Sequence, residues 1–84
     1  MNKESYREVL GQRLQDFRES RNLSRYAVAQ KGKIRVEQVK AVEEGSSNYT
    51  IDVFLGYIAG SDLYMYFAEK DGEENLKELI DKMG

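Results

Sequence analysis

Apolar side chains recur at helical spacing along most of the chain. Leu10, Leu14, Phe17 and Arg21 fall at i, i+4, i+7 and i+11, so residues 7–21 read as a helix with these four on one face. Asn22 and Leu23 break that pattern. Ser24 is a good N-cap for a second helix through Lys31, with Val28 and Ala29 as its buried positions and Gly32 as its stop. After Ile34, Val39 and Val42 sit at i and i+3 on a third helix of about residues 36–44, closed by Gly45. Ser46, Ser47, Asn48 and Tyr49 form a polar connector. Thr50 caps a fourth helix, Asp52 suits the dipole of its first turn, and Gly60 ends it. Ile51, Phe54, Leu55 and Ile58 make its expected buried stripe.

The remaining residues differ in character. Leu63-Tyr64-Met65-Tyr66-Phe67-Ala68 is a short aromatic run between Ser61-Asp62 and Asp71-Gly72. It reads as a strand with Leu63, Met65 and Phe67 on one face, although so short a run also fits a helix. Asp71 through Glu74 resembles a capping box, and Leu76, Leu79, Ile80 and Met83 follow at i, i+3, i+4 and i+7. That spacing predicts a final amphipathic helix over 73–83. The chain thus divides into residues 1–60, a helical domain, and residues 61–84, an extension for dimerisation or a partner.

Composition narrows the chemistry. The 84 residues include no Cys, His, Trp or Pro. A disulfide scaffold, a Cys-based zinc site and a thiol nucleophile are thereby excluded, and the commonest general base and metal ligand are missing. No catalytic residue, cofactor or metal is expected, and an enzyme is disfavoured. Apolar residues make up 40% and charged residues 33%, a globular balance. No apolar run approaches membrane-spanning length and no signal peptide is visible, so the expected compartment is the cytoplasm, with no membrane partner. A domain this small buries only about 60–65% of its unfolded surface, which makes self-association plausible on size alone.

The net charge of −2 is unevenly spread. Residues 1–48 hold ten Lys and Arg against seven acids, and residues 49–84 hold three Lys against eight acids. Every Arg lies at or before position 35. Arg reads phosphates and base edges better than Lys does. A net +3 is nonetheless modest for a nucleic-acid binder.

Four short helices in about 55 residues, with a tight turn between the second and third, form a helix-turn-helix pattern. The run Leu23-Ser24-Arg25-Tyr26-Ala27-Val28-Ala29-Gln30, continuing to Ile34, Val39, Val42, Glu43, Glu44 and Gly45, resembles the phage-repressor family (Cro-like, xenobiotic-response-element type). The likeness reaches back to Leu10-Gly11-Gln12-Arg13-Leu14 and forward to about Gly60, roughly two thirds of the chain. It implies a mainly α, lambda-repressor-like four-helix domain followed by a short strand and a helix. It also implies a sequence-specific transcriptional regulator, repressor-like, that binds double-stranded DNA as a homodimer.

By the same resemblance the third helix enters the major groove. Val36 and Ala41 would meet thymine methyls, Glu37 would accept from cytosine, and Gln38 would pair with adenine, while Arg35 and Lys40 would touch phosphate or guanine. Arg25, next to the cap Ser24, stands where the family has a phosphate-binding Gln. Ser46, Ser47, Asn48 and Tyr49 occupy a phosphate-contacting loop. Arg18 and Glu43 match a pair that fixes the recognition helix, and Ala29 stands where the two helices of the motif cross. The chain departs from the family pattern in its turn: Gly32 comes one position early, Lys33 follows it, and Arg35 replaces a capping Ser or Thr. Family members also pair with toxins or other regulators through C-terminal extensions, so an alternative is an antitoxin-like interaction module using residues 62–84.

Overall fold

The computed structural model describes residues 3–46 and 49–69. These form four α-helices: α1 (Lys3–Ser20), α2 (Arg25–Gly32), α3 (Val36–Glu44) and α4 (Ile51–Gly60). The helix expected over 73–83 lies outside the described residues. α1 begins four residues earlier than its apolar spacing suggests and stops before Arg21.

Each start has its own donor arithmetic. The Ser24 hydroxyl accepts from the Ala27 N–H at 3.0 Å, and the Thr50 hydroxyl accepts from the Val53 N–H at 3.2 Å. Both oxygens satisfy amides that an α-helix leaves unpaired. Arg35 has no side-chain acceptor to offer α3. Instead the Gln38 side-chain oxygen accepts from the Arg35 N–H at 2.8 Å, the return half of a capping box.

The four helix ends share one device. Asn22, Lys33, Gly45 and Asp62 all have positive φ, between 56° and 71°. The following amide reaches back five residues in each case: Leu23 to Arg18, Ile34 to Ala29, Ser46 to Ala41 and Leu63 to Ile58, all at 3.0–3.1 Å. This is the Schellman geometry, and Leu23, Ile34 and Leu63 are then turned onto the core. Gly32 and Gly60, expected as stops, are instead the last residues of α2 and α4. The exposed Lys33 holds the left-handed conformation without a glycine's freedom, at a steric cost of about 1 kcal/mol. Lys33→Gly is therefore expected to raise the urea midpoint, with a gain of up to about 1 kcal/mol and an unchanged m-value.

α2 packs on α4, α1 on α3, and α2 on α3. Leu14, Val28, Ala29, Val39, Val42, Val53, Tyr57 and Ile58 form the core. Glycines bring the paired helices close. A Cβ on Gly32 would lie 2.0 Å from the Gly56 carbonyl oxygen, and one on Gly60 would lie 2.2 Å from that of Val28. On the other side, a Cβ on Gly11 would lie 2.4 Å from the Glu43 carbonyl oxygen. This seam rotates the expected buried faces. α4 turns Val53, Gly56, Tyr57 and Gly60 toward α2 and α3, leaving Ile51 at 66% exposure and Leu55 at 45%. α1 buries Gly11, Leu14 and Arg18, while Phe17 is 54% exposed and Arg21 lies at the surface. The Arg21 guanidinium donates to the carbonyl of Ser61 at 2.7 Å, placing a cation at the negative end of α4.

Residues 63–69 take neither helix nor strand. The strand expected over 63–68 is thus absent here, because no other described segment offers it a ladder. Leu63 packs against the core, Met65 is 40% exposed and Phe67 is 92% exposed.

Candidate nucleic-acid interface

α3 has two contrasting faces. Val39, Val42 and Glu43 point inward and are almost fully buried. Arg35, Val36, Glu37 and Lys40 point outward, with Val36 at 40% exposure, and Ala41 is half-buried.

Glu43 organises the inner face. Its carboxylate accepts from Arg18 Nε at 2.5 Å and Arg18 Nη2 at 3.1 Å, a two-point pairing of α1 with α3. Arg25 Nε, from the first turn of α2, donates to the same carboxylate at 3.0 Å. The Tyr57 hydroxyl, from α4, donates to it at 2.5 Å. Arg18 Nη1 also donates to the Leu23 carbonyl at 2.9 Å, which pins the turn after α1. One carboxylate therefore ties together all four helices. Burial alone would raise the pKa of Glu43, but hydrogen bonds from Arg18, Tyr57 and Arg25 outweigh it and hold the group below its ordinary value of 4.5. The hydrogen bond to Glu43 raises the Arg18 pKa against desolvation, and burial raises that of Tyr57 with help from the same carboxylate.

The cluster is mixed in charge. Two guanidinium groups face the Glu43 carboxylate and a neutral phenol, and Arg18 Nη2 also lies 3.7 Å from the exposed Glu19 carboxylate. The Arg18 side chain is 10% exposed and that of Arg25 is 34% exposed, so Arg25 is the guanidinium that reaches the surface. Arg25 opens α2, where the helix dipole adds further positive potential.

The outer face is electrically balanced. Arg35 Nε lies 4.0 Å from Glu37 and Lys40 Nζ lies 3.8 Å from Glu44. Such exposed pairs contribute only about 0–1 kcal/mol and exchange partners readily. The remaining candidates are variously committed. Gln38 uses its side-chain oxygen to cap α3, which leaves its amide N–H groups for other partners. The exposed Ser24 uses its hydroxyl oxygen as the cap of α2. The Ser46 N–H is committed to the end of α3. Tyr49 packs against the core with its ring stacked on Phe54, the centroids 6.4 Å apart. Ser47 and Asn48 lie outside the described residues.

Tyr57 is the participant that the sequence pattern did not single out. Its position four residues after Val53, flanked by Gly56 and Gly60, was the available signal. A helix face rich in glycine approaches its neighbours closely enough to enclose a ring. The apolar stripe of Ile51, Phe54, Leu55 and Ile58 passes it by.

No protein-family model, curated protein or solved structure matches the chain.

Proposed function

We propose that the chain is a helix-turn-helix transcriptional regulator, repressor-like, that reads the DNA major groove with α3. The observation that carries this reading is the Glu43 cluster. It ties α3 to the other three helices from behind, leaves the outer face of that helix free, and holds the partly exposed guanidinium of Arg25 beside it. A backbone phosphate is the natural ligand for that charge, since phosphate contacts set the register of a reading helix while base contacts supply sequence. Arg35 and Lys40 would leave their weak intrahelical pairs for phosphate or guanine. Val36, Glu37 and Ala41 would carry base preference, and Gln38 would contribute through its amide N–H groups.

Selection from a random duplex pool at low salt, followed by salt titration of the enriched sequence, tests the reading. A specific binder yields a consensus and an affinity that falls linearly with the logarithm of salt. Recovery of no sequence above background, with no duplex affinity at low salt, rejects it. Arg25→Ala is expected to weaken all duplexes alike and reduce the salt slope by about one. Arg25→Lys should retain most of that slope. Glu37→Ala should instead redistribute preference at one base position, read by anisotropy on a panel of single-base variants.

The reading places the protein in the cytoplasm. No helix among the described residues is long and apolar enough to cross a membrane. Selectivity would come from a homodimer reading two half-sites about 34 Å apart. Residues Leu63, Met65 and Phe67 would pair with the same segment of a second copy, which supplies the missing ladder. Met65→Pro would remove a ladder donor and convert a dimer into a monomer in analytical ultracentrifugation, with helix content retained. A wild-type chain that sediments as a monomer at all concentrations rejects this arrangement.

A second reading has its own support. Tyr64, Tyr66 and Phe67 are 81–92% exposed, more aromatic surface than a folded monomer usually leaves in one place. An antitoxin-like module binding another protein through residues 62–84 would use it. A stable protein complex in the absence of any duplex affinity would favour that alternative.

A further inference from the structure

An ionised carboxylate offers four lone-pair sites on its two oxygens, and in Glu43 four donors fill them. Oε1 accepts from Arg18 Nη2 at 3.1 Å and from Arg25 Nε at 3.0 Å. Oε2 accepts from Arg18 Nε and from the Tyr57 hydroxyl, each at 2.5 Å. Arg18 thus holds the two-point pairing, and Arg25 is left with a single bond. With both oxygens fully taken, the carboxylate has no site for a second N–H from Arg25. Arg25 Nη1 and Nη2 carry four of the five guanidinium N–H groups, and they donate to no acceptor among the described residues. Arg18, by contrast, also spends Nη1 on the Leu23 carbonyl. The Arg25 side chain reaches the surface, whereas that of Glu43 is wholly buried. A planar guanidinium anchored at Nε by a buried group has the direction of its opposite edge, Nη1–Nη2, restricted.

We propose that Arg25 takes a DNA phosphate on its Nη1–Nη2 edge without giving up Glu43, and that Glu43 is the positioning residue for this contact. The inference rests on the DNA-binding reading and adds to it the geometry of one contact. Two parallel N–H groups on that edge match two phosphate oxygens. The carboxylate and the phosphate then share one guanidinium, each on its own side. Arg35 and Lys40 must leave exposed acids to reach DNA. Arg25 makes no such exchange, so part of the cost of ordering its side chain is already met in the free chain.

The test uses the intact, isotope-labelled chain and a short mixed-sequence duplex at low salt, because phosphate contacts do not depend on sequence. On duplex binding the Arg25 Nη signals are expected to become resolved, as hydrogen bonds to phosphate slow rotation about the Cζ–Nη bonds. The Glu43 carboxylate carbon signal should stay at its free-chain position. A shift of that signal on binding would show that Arg25 leaves Glu43, which overturns the proposal and spares the reading. Duplex binding with unmoved Arg25 signals would overturn it too. Absence of any duplex affinity at low salt rejects the reading and the proposal with it. Arg25→Lys separates the edge from the charge, with the α3 amide signals as the check that the variant stays folded. Lysine keeps the salt slope but offers its donors from one atom, so affinity at fixed salt is expected to fall at least about tenfold. A lysine variant that binds as tightly as the wild type would show that charge alone suffices and would overturn the proposal.

Discussion

Glu43→Ala is expected to remove about 3–5 kcal/mol of stability, the range for breaking a buried ion pair by deleting one partner. Arg18 would then keep a buried guanidinium with only the Leu23 carbonyl and an exposed Glu19 nearby, and the fully buried Tyr57 would lose the acceptor for its hydroxyl. Against an expected total of about 4–12 kcal/mol for a domain this size, that loss brings the variant close to unfolding. Urea denaturation measures it. A loss below about 1 kcal/mol would reduce the cluster to the value of a surface pair. Replacing both partners at once, Arg18→Met with Glu43→Leu, should recover much of the loss, because the penalty comes from the stranded charge rather than from missing attraction.

The same cluster sets a pH dependence with a definite sign. Glu43 has a lowered pKa in the folded chain, so the unfolded chain binds its proton first as pH falls. The contribution is fully present above the ordinary carboxylate value of 4.5 and is lost as pH drops through the lowered folded value. Tyr57 works in the opposite direction. Its pKa is raised, so folding keeps the phenol protonated, and stability declines above the ordinary value of 10.0, where the unfolded chain ionises. Glu43→Ala should flatten the acid limb of a stability–pH curve, and Tyr57→Phe the alkaline limb.

Much of the helical framework was legible because its signals are local. Ser24 and Thr50 are strong caps, and both stand at the helix starts where their chemistry puts them. Val39 and Val42 announced the inner face of α3 by spacing alone. Arg18 and Glu43, singled out through the family resemblance, meet as a bonded pair, although no pattern intrinsic to either helix joins residues 25 positions apart. Glycine was the main source of misreading. Among the described glycines only Gly45 is a left-handed stop, whereas Gly32 and Gly60 serve close packing and leave the turn to Lys33 and Asp62. A glycine near a helix end has two uses that sequence cannot separate without knowing what lies across from it. The error then propagated to α4. An approach made through Gly56 and Gly60 turns the helix so that Tyr57 enters the core and Ile51 leaves it. The strand expected at 63–68 is not found among the described residues for a related reason, since a strand depends on a partner that need not lie in the same chain.

That glycine seam makes Gly32→Ala a severe change for one methyl group. Helix propensity alone predicts a gain of about 0.8–1.0 kcal/mol, because alanine is the better helix former. Packing predicts the reverse. The new Cβ would sit 2.0 Å from the Gly56 carbonyl oxygen and 2.8 Å from its carbon, and both are backbone atoms of α4 that cannot swing aside. Relief requires α2 and α4 to separate, and overpacking of this kind costs about 1–3 kcal/mol. A net loss is therefore expected despite the propensity gain. Ala59→Gly is the counterpart: Ala59 is exposed on α4, outside the seam, and should lose about 0.5–1 kcal/mol through backbone entropy alone. Separation at the seam should also reach α3, since Tyr57 of α4 and Arg25 of α2 both hold Glu43 on that helix. On the proposed function, Gly32→Ala is thus expected to weaken specific duplex binding even where the chain remains folded, whereas Ala59→Gly at matched stability leaves it intact. If both variants lower stability equally and neither alters the α3 amide shifts, the seam does not set the position of α3.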